Sequence, residues 1–87
     1  MPVDFRVYVR QGCHLCEDLL VQLQQLQLEH AFKFSVVDVA SDPLLTERYG
    51  LLVPVVMQGD IQVCHYFLDQ VAMLQALDNT NMSSTKN

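Results

Sequence analysis

One stretch near the start of the chain constrains the fold most: an apolar strand runs into a glycine and then into two cysteines. Residues 3–9 alternate apolar and polar side chains, which is the period of a half-buried strand. Gln11 and Gly12 end that pattern, since glycine accepts the backbone angles that a strand-to-helix corner often requires. If a helix follows, Cys13 lies at its N-terminus and Cys16 one turn later, with the two sulfurs close enough to bridge.

The next two segments complete a strand-helix-strand unit. From 14 to about 30 the chain lacks proline and glycine, and its leucines recur along one face, which predicts an amphipathic helix. Residues 33–39 are β-branched and aromatic and predict a strand that is buried on part of both faces. The two strands should therefore lie parallel, with a right-handed crossover.

A short helix and a hairpin are predicted after this unit. Pro43 suits the first position of a helix over 43–49. Two apolar runs, 51–58 and 61–66, are separated by Gly59 and an aspartate, which favours a type II′ turn. Counting back from that turn predicts four opposed pairs: Gln58 with Ile61, Val56 with Val63, Val55 with Cys64, and Pro54 with His65.

The sequence predicts one domain followed by a C-terminal tail. Apolar residues recur at helical spacing over 67–77, which predicts a closing helix. Residues 78–87 are polar and unpatterned, and we predict that this segment is disordered. The predicted domain is therefore 1–77.

The net charge, the lengths of the apolar runs and the number of cysteines limit the kinds of binding partner and the cellular location that we expect. The formal net charge of −5 argues against nucleic-acid binding or membrane-surface binding, because both need a basic surface. The longest uninterrupted apolar run, 51–57, is far shorter than the roughly 20 residues of a spanning helix. Three cysteines, an odd number, do not suit a secreted disulfide framework. We therefore expect a cytoplasmic protein, and a monomer.

The order β-α-β-α-β-β-α, the two cysteines after the first strand, and Val53-Pro54 at the start of the third resemble the small glutaredoxin-like proteins of the thioredoxin-fold superfamily. The resemblance covers roughly 3–77. It implies an α/β thioredoxin fold with a four-stranded mixed sheet and three flanking helices. It also implies a thiol-disulfide oxidoreductase without a tightly bound cofactor, acting on protein disulfides or glutathione mixed disulfides, with glutathione as a candidate co-substrate.

Within that resemblance, Cys13 is the expected nucleophile and Cys16 the resolving thiol. A helix N-terminus favours the thiolate, and His14 or Arg10 could add positive charge. The carboxylate of Glu17, four residues after Cys13, opposes this effect.

Four further residues complete the predicted substrate site. In the families that this chain resembles, the backbone of the residue before the proline, here Val53, pairs with the substrate, and Pro54 keeps a competing donor away. His65 is expected on the rim of the site. Asp69 is a candidate acidic contact to glutathione, although the chain lacks the family's glycine pair, and the nearest preceding basic residue is Arg10 instead of a lysine.

Two other functions stay open at this point. One is a zinc or iron-sulfur module whose ligands are Cys13, Cys16, Cys64 and either His14 or His65; a structural zinc site usually has a second closely spaced pair. The other is a non-catalytic module that binds a protein partner. A lone cysteine on an apolar strand, such as Cys64, is more often a small core residue than a third redox thiol.

Overall fold

The structure is a computed structural model that describes the backbone of residues 3–85 and the side chains of residues 3–78. The predicted order of elements is confirmed. The strands are β1 (Val3–Val9), β2 (Phe32–Asp38), β3 (Val55–Gln58) and β4 (Ile61–His65). The helices are α1 (His14–Gln27), α2 (Pro43–Tyr49) and α3 (Gln70–Thr85), with a 3-10 turn over Val39–Ser41.

The four strands form one mixed sheet in the order β2-β1-β3-β4. β1 and β2 are parallel, as predicted, whereas β3 is antiparallel to both β1 and β4. The C-terminal ends of β1 and β2, the start of β3 and the end of β4 therefore all lie at one end of the sheet. The stretch that contains Cys13 and Cys16 leaves β1 at this end.

Each face of the sheet buries its own cluster. The α1 and α3 side contains Phe5, Leu23 and Met73 among its buried residues. On the other side, Tyr8 stacks on Tyr49 of α2, with ring centroids 4.3 Å apart and an interplanar angle of 15°. Both faces are thus closed by helices, as an α/β sheet requires.

The second strand is buried on part of both faces, as predicted. Phe34 packs against the cluster on the α1 and α3 side, and Val37 packs against the cluster on the other side. Val36 between them is exposed. β2 is an edge strand, and the short helix α2 contacts the chain just beyond it, where the Thr46 hydroxyl donates to the Val39 carbonyl oxygen at 2.7 Å.

The hairpin register is correct at the turn and wrong farther from it. Gln58 opposes Ile61, and Gly59 has the positive φ of 61° that a type II′ turn needs at its first position. A bulge between Val56 and Met57 then shifts the pairing by one residue. The observed pairs are Met57 with Gln62, Val56 with Cys64, and Val55 with His65, so Pro54 does not oppose His65.

The bounds of two helices also differ from those predicted. α1 ends at Gln27, where we expected about residue 30. α3 begins three residues later than predicted and continues past residue 77 to Thr85, so it overlaps the predicted disordered segment over 78–85. Residues 86 and 87 lie outside the described residues, and the division into domain and tail stays a prediction.

Candidate active site

The turn from β1 into α1 places Cys13 at the head of the helix. Gly12 has φ of +76°, a conformation that L side chains rarely adopt. Cys13 is the N-cap residue, and its Sγ accepts a hydrogen bond from the backbone N–H of Cys16 at 3.1 Å. Its carbonyl oxygen accepts the N–H of Glu17 at 3.2 Å, which closes the first helical turn. One of the otherwise unsatisfied N–H groups of the helix N-terminus is thus directed at the Cys13 sulfur.

The second cysteine lies in a different environment. Cys16 is only 3% exposed, whereas Cys13 is half-buried. Burial raises the pKa of the Cys16 thiol to about 11, and its hydrogen bond to the Cys13 sulfur acts in the same direction, while the backbone N–H of Arg10 acts against them. Both thiols are free. At neutral pH, therefore, Cys16 holds its proton, and Cys13 is the sulfur that a substrate can reach.

The predicted proline lies beside this pair. The Val53-Pro54 peptide bond is cis, and both residues are buried. Val53 and Cys16 belong to one buried cluster with Tyr8, and Cys13 packs against that cluster. The structure thus brings together Cys13, Cys16, Val53 and Pro54 at one end of the sheet.

The two basic candidates near the cysteines are both exposed. His14 is the first residue of α1. Arg10 lines a cavity of about 260 Å³ together with both cysteines. The cavity is also lined by Glu17 and Asp38.

His65 and Asp69 lie at the same end of the sheet but line another cavity. His65 is exposed, pairs with Val55, and its Nδ1 lies 3.0 Å from the Nε2 of Gln62. The Asp69 carboxylate accepts the backbone N–H of Ala72 at 3.0 Å, just where α3 begins. These two residues line a cavity of about 720 Å³ that does not include Cys13 or Cys16 among its lining residues.

Comparisons with known proteins decide the family. Residues 5–78 match the family model described as the glutaredoxin-like domain, DUF836. The chain belongs to this glutaredoxin-like family. No match is found among curated proteins.

Solved structures agree with this assignment. The glutaredoxin-like chain is similar to protein Ne2328 from Nitrosomonas europaea, with 36% identity over 87% of this chain and 92% of that one, and a TM-score of 0.78. A structural-genomics target protein from X. campestris is 29% identical over 86% and 96% of the two chains, with a TM-score of 0.63. Thioredoxin 1 from Thermosipho africanus shares the fold, at 16% identity over 90% and 98% and a TM-score of 0.59. The chain therefore has the predicted α/β thioredoxin fold.

The third cysteine of the glutaredoxin-like chain lies apart from the other two. Cys64 is buried in the cluster between the sheet and helices α1 and α3, whereas Cys16 belongs to the cluster on the other face. Burial raises the pKa of the Cys64 thiol. Within the described residues, no three His, Cys, Asp or Glu side chains lie together as ligands for a metal ion. The predicted ligand set of a metal module is thus divided between two faces of the sheet.

Among residues 3–85, none of the helices has the length and apolar character that would let it cross a membrane.

The residue that sequence reasoning missed is Asp38. It pairs with Val9 at the C-terminal end of β2 and lines the cavity beside Cys13. The parallel arrangement of β1 and β2 was predicted, and it implies that the ends of both strands meet at the same edge of the sheet. That topology was the signal that could have identified Asp38.

Proposed function

We propose that the chain is a thiol-disulfide oxidoreductase in which Cys13 attacks the substrate and Cys16 resolves the intermediate. One observation carries the proposal: the Cys13 sulfur caps α1 and accepts the Cys16 N–H at 3.1 Å, while Cys16 is buried, which raises the pKa of its thiol. A thiolate is the attacking species in disulfide exchange, and the two positions divide the roles of attacking and resolving thiol between them.

The reaction has two steps. The Cys13 thiolate attacks one sulfur of the substrate disulfide, which forms a mixed disulfide on Cys13 and releases the other half as a thiolate. Cys16 then gives up its proton, which neutralises the released thiolate, and attacks the Cys13 sulfur. The second half of the substrate leaves and takes a proton from solvent. The dithiol loses two electrons and its protons, and the substrate becomes two thiols.

Neighbouring residues support this chemistry. The backbone at Val53 is an edge for an extended substrate, and Pro54 beside it has no N–H that could compete. Arg10 and His14 offer positive charge beside Cys13, while His65 and Asp69 are proposed contacts farther along the same end of the sheet. We expect protein disulfides or glutathione mixed disulfides as partners, no tightly bound cofactor, and action as a cytoplasmic monomer.

Equilibration in buffers of reduced and oxidised dithiothreitol tests the proposal. The fraction of Cys13–Cys16 disulfide is measured by alkylation and mass spectrometry after acid quenching. We expect a single two-electron couple in the wild-type protein, and loss of this couple in both Cys13→Ser and Cys16→Ser. Cys64→Val is the matched control, because Cys64 lies on the other face of the sheet, and it should behave like the wild type. A protein with no measurable couple between these two cysteines would overturn the proposal.

A further inference from the structure

The cavity of about 260 Å³ beside Cys13 combines apolar walls with charged groups. Val9 and Leu20 are among its apolar lining residues. Arg10, Glu17 and Asp38 are its charged ones, so carboxylates outnumber the basic group by two to one. The cavity that borders both cysteines therefore carries more negative than positive side chains.

The two carboxylates differ in how they are held. Among the described side chains, neither Glu17 nor Asp38 is engaged in an ion pair with a basic residue. Glu17 is exposed in the first turn of α1. Asp38 is held in place because its Oδ1 accepts the backbone N–H of Ala40 at 2.9 Å. Arg10 is therefore the one basic residue that lines the cavity with these two carboxylate residues.

None of the other lysine and arginine side chains described in the structure lines this cavity. Lys33 lies opposite Asp4 in the register of β1 and β2, at the far end of both strands. It is five residues from Asp38 along β2, or about 16 Å at the usual rise of a strand. That separation is about two Debye lengths at physiological ionic strength. The neighbouring Tyr8 raises the pKa of Arg6. Arg48 lies over the Tyr49 ring, 5.6 Å from its centroid, on the α2 face.

Resting on the oxidoreductase function proposed above, we propose that Glu17 and Asp38 determine substrate specificity by selecting disulfides with positively charged flanking groups. The substrate class is the disulfide of a basic peptide segment. Glutathione carries two carboxylates and one ammonium group at neutral pH, so its net charge is negative. The carboxylates of Glu17 and Asp38 therefore repel it. The exchange reaction is the one already written, with the cationic disulfide as the oxidant and two thiols as products.

Single-turnover oxidation of the reduced protein by three small disulfides tests the selection. The probes are cystamine, which is cationic, 2-hydroxyethyl disulfide, which is neutral, and dithiodipropionate, which is anionic. Each rate is divided by the rate of the same disulfide with free dithiothreitol, because leaving-group reactivity differs between the three. At low salt we expect cystamine to exceed dithiodipropionate by roughly tenfold, the lower end of electrostatic steering effects, and added salt to remove most of the difference.

Charge-matched variants identify the residues responsible. E17Q/D38N should lose most of the preference, and the D38N change retains a side-chain oxygen that can accept the Ala40 N–H. E29Q/D60N makes the same change in net charge, with Glu29 beyond the C-terminal end of α1 and Asp60 in the β3–β4 turn, and should keep the preference. If the ratio of the cystamine rate to the dithiodipropionate rate is the same in the wild type, E17Q/D38N and E29Q/D60N, the proposed selection is wrong. The oxidoreductase function would still stand. Failure of every probe to oxidise Cys13 and Cys16 would overturn both.

Discussion

The backbone N–H of Cys16 donates a hydrogen bond to the Sγ of Cys13 at 3.1 Å, so the two cysteines are joined within the first turn of α1. Cys13 is half-buried, and Cys16 is almost fully buried. Because burial raises the pKa of Cys16 to about 11, the two thiols of one short motif have different chemistry.

Alkylation of Cys16 should depend on pH over an unusually alkaline range. Its pKa is raised above the ordinary thiol value of about 8.5, so the thiol stays protonated at pH 7–9 and its thiolate fraction increases until about pH 11. Peptide mapping after brief treatment with iodoacetamide measures this rate. We expect it to rise about tenfold per pH unit and to level off near pH 11. Urea-unfolded protein is the control; a plateau near pH 8.5 in the folded protein would contradict the assigned protonation.

Gly12→Ala should destabilise the protein without a steric clash. A Cβ at this position meets no atom within 4 Å, so the cost comes from the φ of +76° alone. We expect a loss of about 1–2 kcal/mol in the free energy of unfolding, measured by urea denaturation. Gly12→Asn should cost less, because asparagine enters the left-handed region more readily. Equal stability of wild type and the alanine variant would contradict the need for glycine at this corner.

Asp69 has a structural role that can be separated from substrate binding. Its carboxylate accepts the Ala72 N–H at the start of α3, and loss of such a cap costs about 1 kcal/mol. Asp69→Ala should therefore lower stability by about that amount, while Asp69→Asn keeps the cap and should be nearly neutral. If Asp69 also contacts a substrate through its charge, the asparagine variant will lower exchange rates at unchanged stability.

Cys64 should be dispensable for redox chemistry and replaceable by a residue of similar size. Its side chain is 8% exposed and packs in the core with Met73. Cys64→Val should cost less than about 1.5 kcal/mol, whereas Cys64→Ser, which leaves a hydroxyl in an apolar site, should cost about 1–3 kcal/mol. Both folded variants should exchange disulfides at the wild-type rate. A folded valine variant that is inactive would assign Cys64 to the reaction.

Local patterns predicted most of the fold. The alternation over residues 3–9, the leucine spacing of α1 and Pro43 at the head of α2 each identified an element within a few residues of its observed bounds. The glycine and the two cysteines predicted Cys13 at the N-terminus of a helix, and the structure has its sulfur as the acceptor of the N-cap hydrogen bond. These features depend on residues that are close in the sequence, so local sequence patterns are enough to predict them.

The errors concern features that depend on distant contacts. The bulge at Val56 and Met57 leaves no mark in an apolar run, because either register buries apolar side chains. Asp38 lies beside the two cysteines because β2 pairs with β1, a contact between segments that are distant in the sequence.

The central claim, that Cys13 attacks and Cys16 resolves, is tested most directly by the order in which sulfurs react. Reduced protein is mixed with a stoichiometric amount of a neutral disulfide, quenched with acid at successive times, and analysed by peptide mapping. The account predicts that a mixed disulfide forms first on Cys13 and is replaced by the Cys13–Cys16 disulfide, and that it accumulates in Cys16→Ser. A first adduct on Cys16 or Cys64, or no adduct on any cysteine, would contradict it.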